Sequence, residues 1–186
     1  MREEMNPKRR LIDGNATFRR ATDPSLLSHL AESNEPFFAI LTCSDARMDP
    51  AKIFSLSMGD AFVVRTAGNI ASGPCVVGSL EYAVEFLKVK ALVVLGHSDC
   101  GLIRASYERA EYGYMEEALK DIECAKSKLS NDDVRDADAI AANNVRIQMR
   151  KLVDFSPIIR DAASRGDLEM LGAVLDIRTG EVKFVR

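Results

Sequence analysis

The sequence has no apolar run near the ~18 residues that a bilayer-spanning helix requires, so no helical membrane anchor is expected. Nor does it have a basic surplus. Its 25 Lys and Arg face 28 Asp and Glu, leaving a formal charge of −3. Nucleic acid and anionic membranes usually call for a basic patch or stripe, so neither is an expected partner. The charged opening, Met1 to Arg10, leads into no apolar segment, so no secretory leader is expected. Cysteine is sparse: four in 186 residues, at 43, 75, 100 and 124, do not make a disulfide framework in a chain of this size. A cytoplasmic protein with reduced thiols fits better. Histidine is sparser, with only His29 and His97. No internal repeat, low-complexity tract or linker is present, and the length suits one domain, 1–186, with residues 1–35 as an N-terminal helical arm.

The chain that remains alternates strand and helix patterns. Residues 7–20 read as a helix, with Leu11, Ile12, Ala16 and Phe18 interleaved with charges; Gly14 weakens it and Thr22-Asp23-Pro24 ends it. Pro24 opens a second amphipathic helix to about Ser33. Strands are expected at 37–42, 61–65, 91–95 and 168–177, with a short edge strand at 181–185 after an Arg178-Thr179-Gly180 turn. A helical turn is expected over 50–55 and a helix over 74–88. From 101 to about 153 the pattern is helical, with one stripe over 115–129, a second helix opening near Asp136, and Asn131-Asp132-Asp133 as the turn between them. Ser156-Pro157 opens a further helix to about Ser164. The fold class is therefore α/β: a mainly parallel sheet of about four strands plus an antiparallel edge strand, flanked by helices. The two helices before the first strand are expected to pack on this domain or on a partner subunit.

Two strands end in chemistry. The run 37–41 leads into Cys43-Ser44-Asp45-Ala46-Arg47, and the run 91–95 into Gly96-His97-Ser98-Asp99-Cys100-Gly101. Ligands in such sheets collect beyond the C-terminal strand ends. Cys43, His97 and Cys100 would give zinc two sulfurs and a nitrogen, one ligand short of a closed structural site. A lone buried Cys is usually a small hydrophobe, and a lone His-x-x-Cys is weaker still. The joint pattern, with both halves at strand ends, is much more specific. Asp45 and Arg47 are two apart and can share one side of an extended backbone. A guanidinium fork would keep that carboxylate ionised. Asp45 could then orient a water on the metal, or swing away and become a fourth ligand that closes the site. Two thiolates neutralise the zinc charge, so its water should ionise less readily than one on a metal held by three imidazoles. Such a centre beside an apolar pocket suits attack on a small uncharged electrophile.

These residues resemble the β-class carbonic anhydrases. The likeness lies in Cys43-Ser44-Asp45-Ala46-Arg47, in Gly96-His97-Ser98-Asp99-Cys100-Gly101, in the run from Gly59 to Asn69, and in Ser79-Leu80-Glu81-Tyr82-Ala83-Val84. Leu11 to Asn15 with Phe18, Asn144-Val145, Ser156-Pro157 and Gly166-Asp167-Leu168 extend it over nearly the whole chain. The resemblance implies zinc on Cys43, His97 and Cys100, an Asp45–Arg47 dyad, and reversible hydration of carbon dioxide to bicarbonate and a proton by a zinc-bound hydroxide. It implies a substrate pocket beside Gly101, Tyr82 and Asn69, although Tyr82 could equally be a plain helix-face core residue. It also implies a homodimer or homotetramer whose N-terminal helices wrap over the neighbour.

Some positions depart from the family's usual pattern. Thr66 stands where Asn is frequent. Leu102 stands where Gly or Ala is usual, and could narrow the pocket. Ile40 and Leu175 occupy the Trp and Tyr positions of a subgroup that holds a second, non-catalytic bicarbonate; with only Arg65 matching, no such site is expected. His29, on a helix far from the motifs, is expected to pack at a surface or interface rather than shuttle protons. Relatives on this scaffold that hydrolyse carbonyl sulfide or carbon disulfide would share the ligands, as would a silent zinc-binding homologue. The intact Asp45 and Arg47 speak against the silent homologue.

Overall fold

A computed structural model describes residues 6–108, 113–130 and 136–185. The chain divides into two compact units, one running through Asn34 and one beginning at Glu35. The first holds α1 (Pro7–Ala21) and α2 (Pro24–Glu32), each with a proline in its first turn and a side-chain cap, Asn6 and Asp23. Neither helix contains a buried residue, and Leu11, Ile12, Phe18 and Leu26 stand exposed on them.

The second unit is the α/β body. Its elements run β1 (Phe38–Cys43), α3 (Pro50–Ile53), β2 (Ala61–Thr66), a 3₁₀ turn (Ala67–Asn69), α4 (Pro74–Glu85), β3 (Ala91–His97), α5 (Gly101–Ala105), α6 (Met115–Ser127), α7 (Ala137–Phe155), α8 (Pro157–Arg165), β4 (Glu169–Leu175) and β5 (Val182–Val185). The sheet order is β2-β1-β3-β4-β5, parallel except for the β4–β5 pair. Parallel strands are covered on both faces and so read as unbroken apolar runs; all seven residues of β3 are buried. From β1 the chain crosses to β2 on one side and then returns to β3 on the other, so the strand order reverses at β1. The crevice beyond the C-terminal ends of β1 and β3 is therefore the topological switch point, where such sheets place ligands.

Two glycines let helix α7 lie close on the sheet. A Cβ at Gly96 would come within 2.8 Å of Val145, and one at Gly172 within 2.5 Å of Met149. Leu41, Leu92, Val94, Val145, Leu152 and Ile159 form the core on that side. Across the sheet, Phe38, Ile40, Phe54, Leu56, Val93, Leu171 and Phe184 line an apolar cavity of about 280 Å³.

Element boundaries shift where backbone pairing and side-chain pattern disagree. β3 continues two residues past its apolar run, because the ladder with β4 holds to His97↔Leu175. β1 likewise includes Cys43, paired with Thr66 of β2. α4 stops at Glu85 instead of reaching 88, because the chain must turn into β3 through Lys88 at φ 55. The turn expected at Asn131-Asp132-Asp133 lies outside the described residues.

Candidate metal centre

Cys43 ends β1, His97 ends the adjacent β3, and Cys100 immediately precedes α5. All three are buried, and one ligand atom from each lies within 4.8 Å of the other two. Among the described residues this is the one such cluster of His, Cys, Asp or Glu. The Nδ1 of His97 lies 2.8 Å from the carbonyl oxygen of Ser98. A carbonyl oxygen only accepts, so Nδ1 carries the proton and Nε2 presents its lone pair. That Nε2 is buried with no hydrogen-bond partner. A buried imidazole nitrogen left without a proton or a partner is costly unless something coordinates it. Two sulfurs and this orphaned nitrogen fit a thiophilic, borderline-soft metal ion.

The Cys43 sulfur accepts N–H bonds from Asp45 at 3.4 Å and from Gly68 at 3.3 Å. Its thiol is held below its ordinary value, first by the Cys100 thiol, which hydrogen-bonds to it, and then by His97 and those two N–H groups, all against burial. Cys100 is pushed upward by the same bond and by burial. Burial opposes a charged His97, but the neighbouring Cys43 thiolate outweighs it and raises the imidazole's hold on a proton.

Asp45 is not part of this cluster. Arg47 grips its carboxylate bidentately, Nε to Oδ1 at 3.0 Å and a terminal nitrogen to Oδ2 at 2.8 Å, while the Arg47 backbone N–H adds a bond to Oδ1 at 2.9 Å. Those contacts, Arg47's side-chain bond first, hold the carboxyl well below the usual carboxylate range. Of the two orientations open to Asp45, the structure has the one facing Arg47.

Four further residues shape the loops, and sequence reasoning assigned none of them its part. Asp99, at φ 53, accepts from Arg47 at 3.2 Å, and its carbonyl accepts a second Arg47 bond at 3.1 Å. Arg47 thereby staples the Cys43 loop to the His97–Cys100 loop. Arg65 donates to the carbonyls of Cys43 at 3.2 Å and Asp45 at 2.7 Å, bracing the same loop from β2. Asn144 and Gln148 approach from α7: Asn144 donates to the Gly68 carbonyl at 2.9 Å, and Gln148 accepts from the Ala71 N–H at 2.9 Å. The signals were faint. Asp99 sits inside the His-x-x-Cys stretch, Arg65 stands level with Thr42 in the ladder, and Asn144 and Gln148 interrupt an apolar stripe running from Ile140 to Leu152.

The other expected site residues differ in their surroundings. Asn69 is buried at φ 51, and its Nδ2 has no partner. A side chain at Gly101 would meet nothing within 4 Å, so the space beside it is open. Leu102 is 6% exposed and packs on the α-carbon of Gly68, so it lies in the core. Tyr82 is 45% exposed, and its ring lies against Phe86 and Phe62 at 5.5 and 6.1 Å; it is not a core residue. His29 is exposed on α2.

Carbonic anhydrase is the family whose sequence profile matches residues 38–182. A carbonic anhydrase of Synechococcus elongatus is 30% identical over 191 residues, spanning 94% of this chain and 70% of its own. The solved β-carbonic anhydrase CcaA superposes with a TM-score of 0.83 at 28% identity, over 97% of this chain and 99% of that one. A tetrameric β-carbonic anhydrase of Sordaria macrospora also reaches 0.83, at 26% identity and 97% of each chain. Profile, relatives and topology agree, and the chain belongs to the β class of the carbonic anhydrase family, lyases of the carbonate dehydratase type.

Proposed function

We propose that the chain catalyses the reversible hydration of carbon dioxide to bicarbonate and a proton, with zinc held by Cys43, His97 and Cys100. The observation that carries this is the meeting of two buried sulfurs and an imidazole nitrogen within 4.8 Å, at the switch point of the sheet, with the His97 Nε2 left unpartnered. When bound, zinc would supply the Lewis acidity that makes water nucleophilic. The remaining work falls to the chain's own residues. Asp45 is an ionised, acceptor-only group that orients the attacking water. Its Oδ1 takes two Arg47 N–H bonds and its Oδ2 takes one, which leaves Oδ2 the freer acceptor. Arg47 keeps Asp45 charged and out of the ligand set. The open space beside Gly101 admits a small substrate, and the spare Asn69 amide is a donor for its oxygen.

A homo-oligomer, dimer or tetramer, accounts for the exposed apolar residues of α1 and α2 and places Tyr82, with Phe62 and Phe86, near a subunit boundary. Two ligands that work as thiolates suit a reducing compartment such as the cytoplasm. No helix among the described residues is long and apolar enough to cross a membrane.

Rapid-mixing assays on zinc-loaded protein, comparing carbon dioxide, carbonyl sulfide and carbon disulfide, test the assignment. Fast carbon dioxide hydration with about one zinc per chain is expected. Sulfide release without carbon dioxide hydration would replace it with the hydrolase activity.

A further inference from the structure

Behind the metal cluster runs a buried polar chain that the chemistry above leaves unused. Its inner end is Gly68, whose N–H donates to the Cys43 sulfur. The Gly68 carbonyl accepts from Asn144 Nδ2 at 2.9 Å. Asn144 Oδ1 accepts from Gln148 Nε2 at 2.9 Å, and that same amide reaches Asp121 Oδ2 at 3.4 Å. Lys151 bonds Asp121 Oδ1, and Ser72 donates to Asp121 Oδ2 at 2.9 Å. Asn144 is 1% exposed, Gln148 0% and Asp121 7%.

The polarity of this chain allows one arrangement. The Ala71 N–H can only donate, so Gln148 must present Oε1 to it. The Asp121 carboxylate, paired with Lys151, only accepts, so Gln148 must present Nε2 there. Both ends therefore fix the same Gln148 orientation. Asn144 must then offer its oxygen to Gln148 and its NH₂ to Gly68. Gly68 itself sits at φ 68, a left-handed conformation natural to glycine. Leu102 covers its α-carbon so closely that a Cβ there would fall 2.5 Å from Leu102 Cδ2. The segment Gly68–Ser72 is thus pinned at Gly68, Ala71 and Ser72.

Burying three polar side chains of α6 and α7, Asp121, Asn144 and Gln148, costs desolvation that an apolar filling of the same shape would avoid. What the network visibly holds is the segment whose first N–H meets the sulfur. We propose that Asn144 and Gln148, backed by Asp121 and Lys151, are positioning residues for Cys43. Through Gly68 they set the N–H···S bond and with it the thiolate's aim and donor strength toward the metal. This rests on the reading of Cys43 as a metal ligand. Outer partners of metal ligands typically change affinity by about 10–100-fold when removed.

The test substitutes Asn144→Asp, which keeps the shape and sets an acceptor against the Gly68 carbonyl. Zinc affinity is measured by chelator competition, and the thiolate-to-metal charge-transfer band by cobalt substitution. We expect about tenfold or greater loss of affinity and a shifted band. Leu152→Ala, a fully buried α7 position in the opposite core, should lower thermal stability and leave both readouts alone. Unchanged affinity and band in N144D would overturn the proposal, as would an equal loss of affinity in L152A. If N144D does not fold, Asp121→Asn breaks the chain at its far end and is judged by the same two readouts. Wild-type protein that binds no metal would instead overturn the underlying assignment, while wild-type binding with an indifferent N144D would overturn this inference alone.

Discussion

Cys43 is held from two directions, and the holding groups differ in their surroundings more than in their bonds. In front lies the Asp45–Arg47–Asp99 staple, with the Arg47 side chain 41% exposed. Behind lies the Gly68–Asn144–Gln148–Asp121 chain, with Gln148 fully buried. Both connect segments distant in sequence through hydrogen bonds of about 3 Å. Water screens and competes with the front set, so those bonds carry little stability. Nothing replaces the rear set when one partner goes, so its loss exposes the full desolvation cost of the others. In the proposed mechanism the front is the functional side and the rear the supporting side.

The largest expected effect lies where the two meet. Cys43→Ser should lower bound zinc from about one per chain to near none and bring hydration close to the uncatalysed rate; elemental analysis and rapid mixing measure both. Next, Asp45→Ala on the front should retain zinc yet slow hydration by about a hundredfold, in the usual range for a positioned proton acceptor. A variant with wild-type hydration would remove Asp45 from the mechanism. On the rear, Gln148→Leu strands the Ala71 N–H and the Asn144 carbonyl, and should cost about 2–4 kcal/mol in urea unfolding of metal-free protein. Arg47→Lys sharpens the contrast from the front: it loses the bidentate fork and should slow hydration while leaving the urea midpoint unmoved. A large stability loss in Arg47→Lys would erase the distinction between the two sides.

The smallest effect is one of pH. Asp45 has its folded-state pKa depressed, first by the Arg47 bond. Its contribution to stability is therefore fully present above the ordinary value near ~3.9 and is lost only as pH falls through the depressed folded value. From pH 9 to 5 the fork should persist, and carbon NMR of the Asp45 carboxyl should show no inflection there. An inflection between pH 5 and 8 would break the picture of a permanently ionised front.

Much of the body was legible because its signals are local. The apolar runs of β1 and β3, the proline and Asp or Ser starts of α1, α2, α7 and α8, and the Gly166 stop of α8 each depend on a few neighbouring residues. Cys43, His97 and Cys100 were legible by residue type, since few side chains offer a soft donor. The strand ends were less so, because ladder bonds at Cys43 and His97 depend on the partner strand and leave no apolar mark. The contact of Leu102 with Gly68 was not legible either: the sequence puts Leu102 near Cys100, and only packing shows it lying over Gly68. The contacts of Arg65 and Asn144 were not legible because each is made to a backbone carbonyl, and a carbonyl has no identity in the sequence.

The sequence by itself determined the α/β alternation, the donor atoms and the Asp45–Arg47 pairing, because periodicity, ligand chemistry and a two-residue spacing are short-range properties. Only the tertiary structure decided which way Asp45 turns, that Arg47 also reaches Asp99, and that Asn144 and Gln148 lie behind Gly68. Those contacts join residues 52 and 76 positions apart. The first exists because β1 and β3 are neighbours in the sheet, and the second because Gly96 and Gly172 let α7 settle close on it, a depth set by packing between elements.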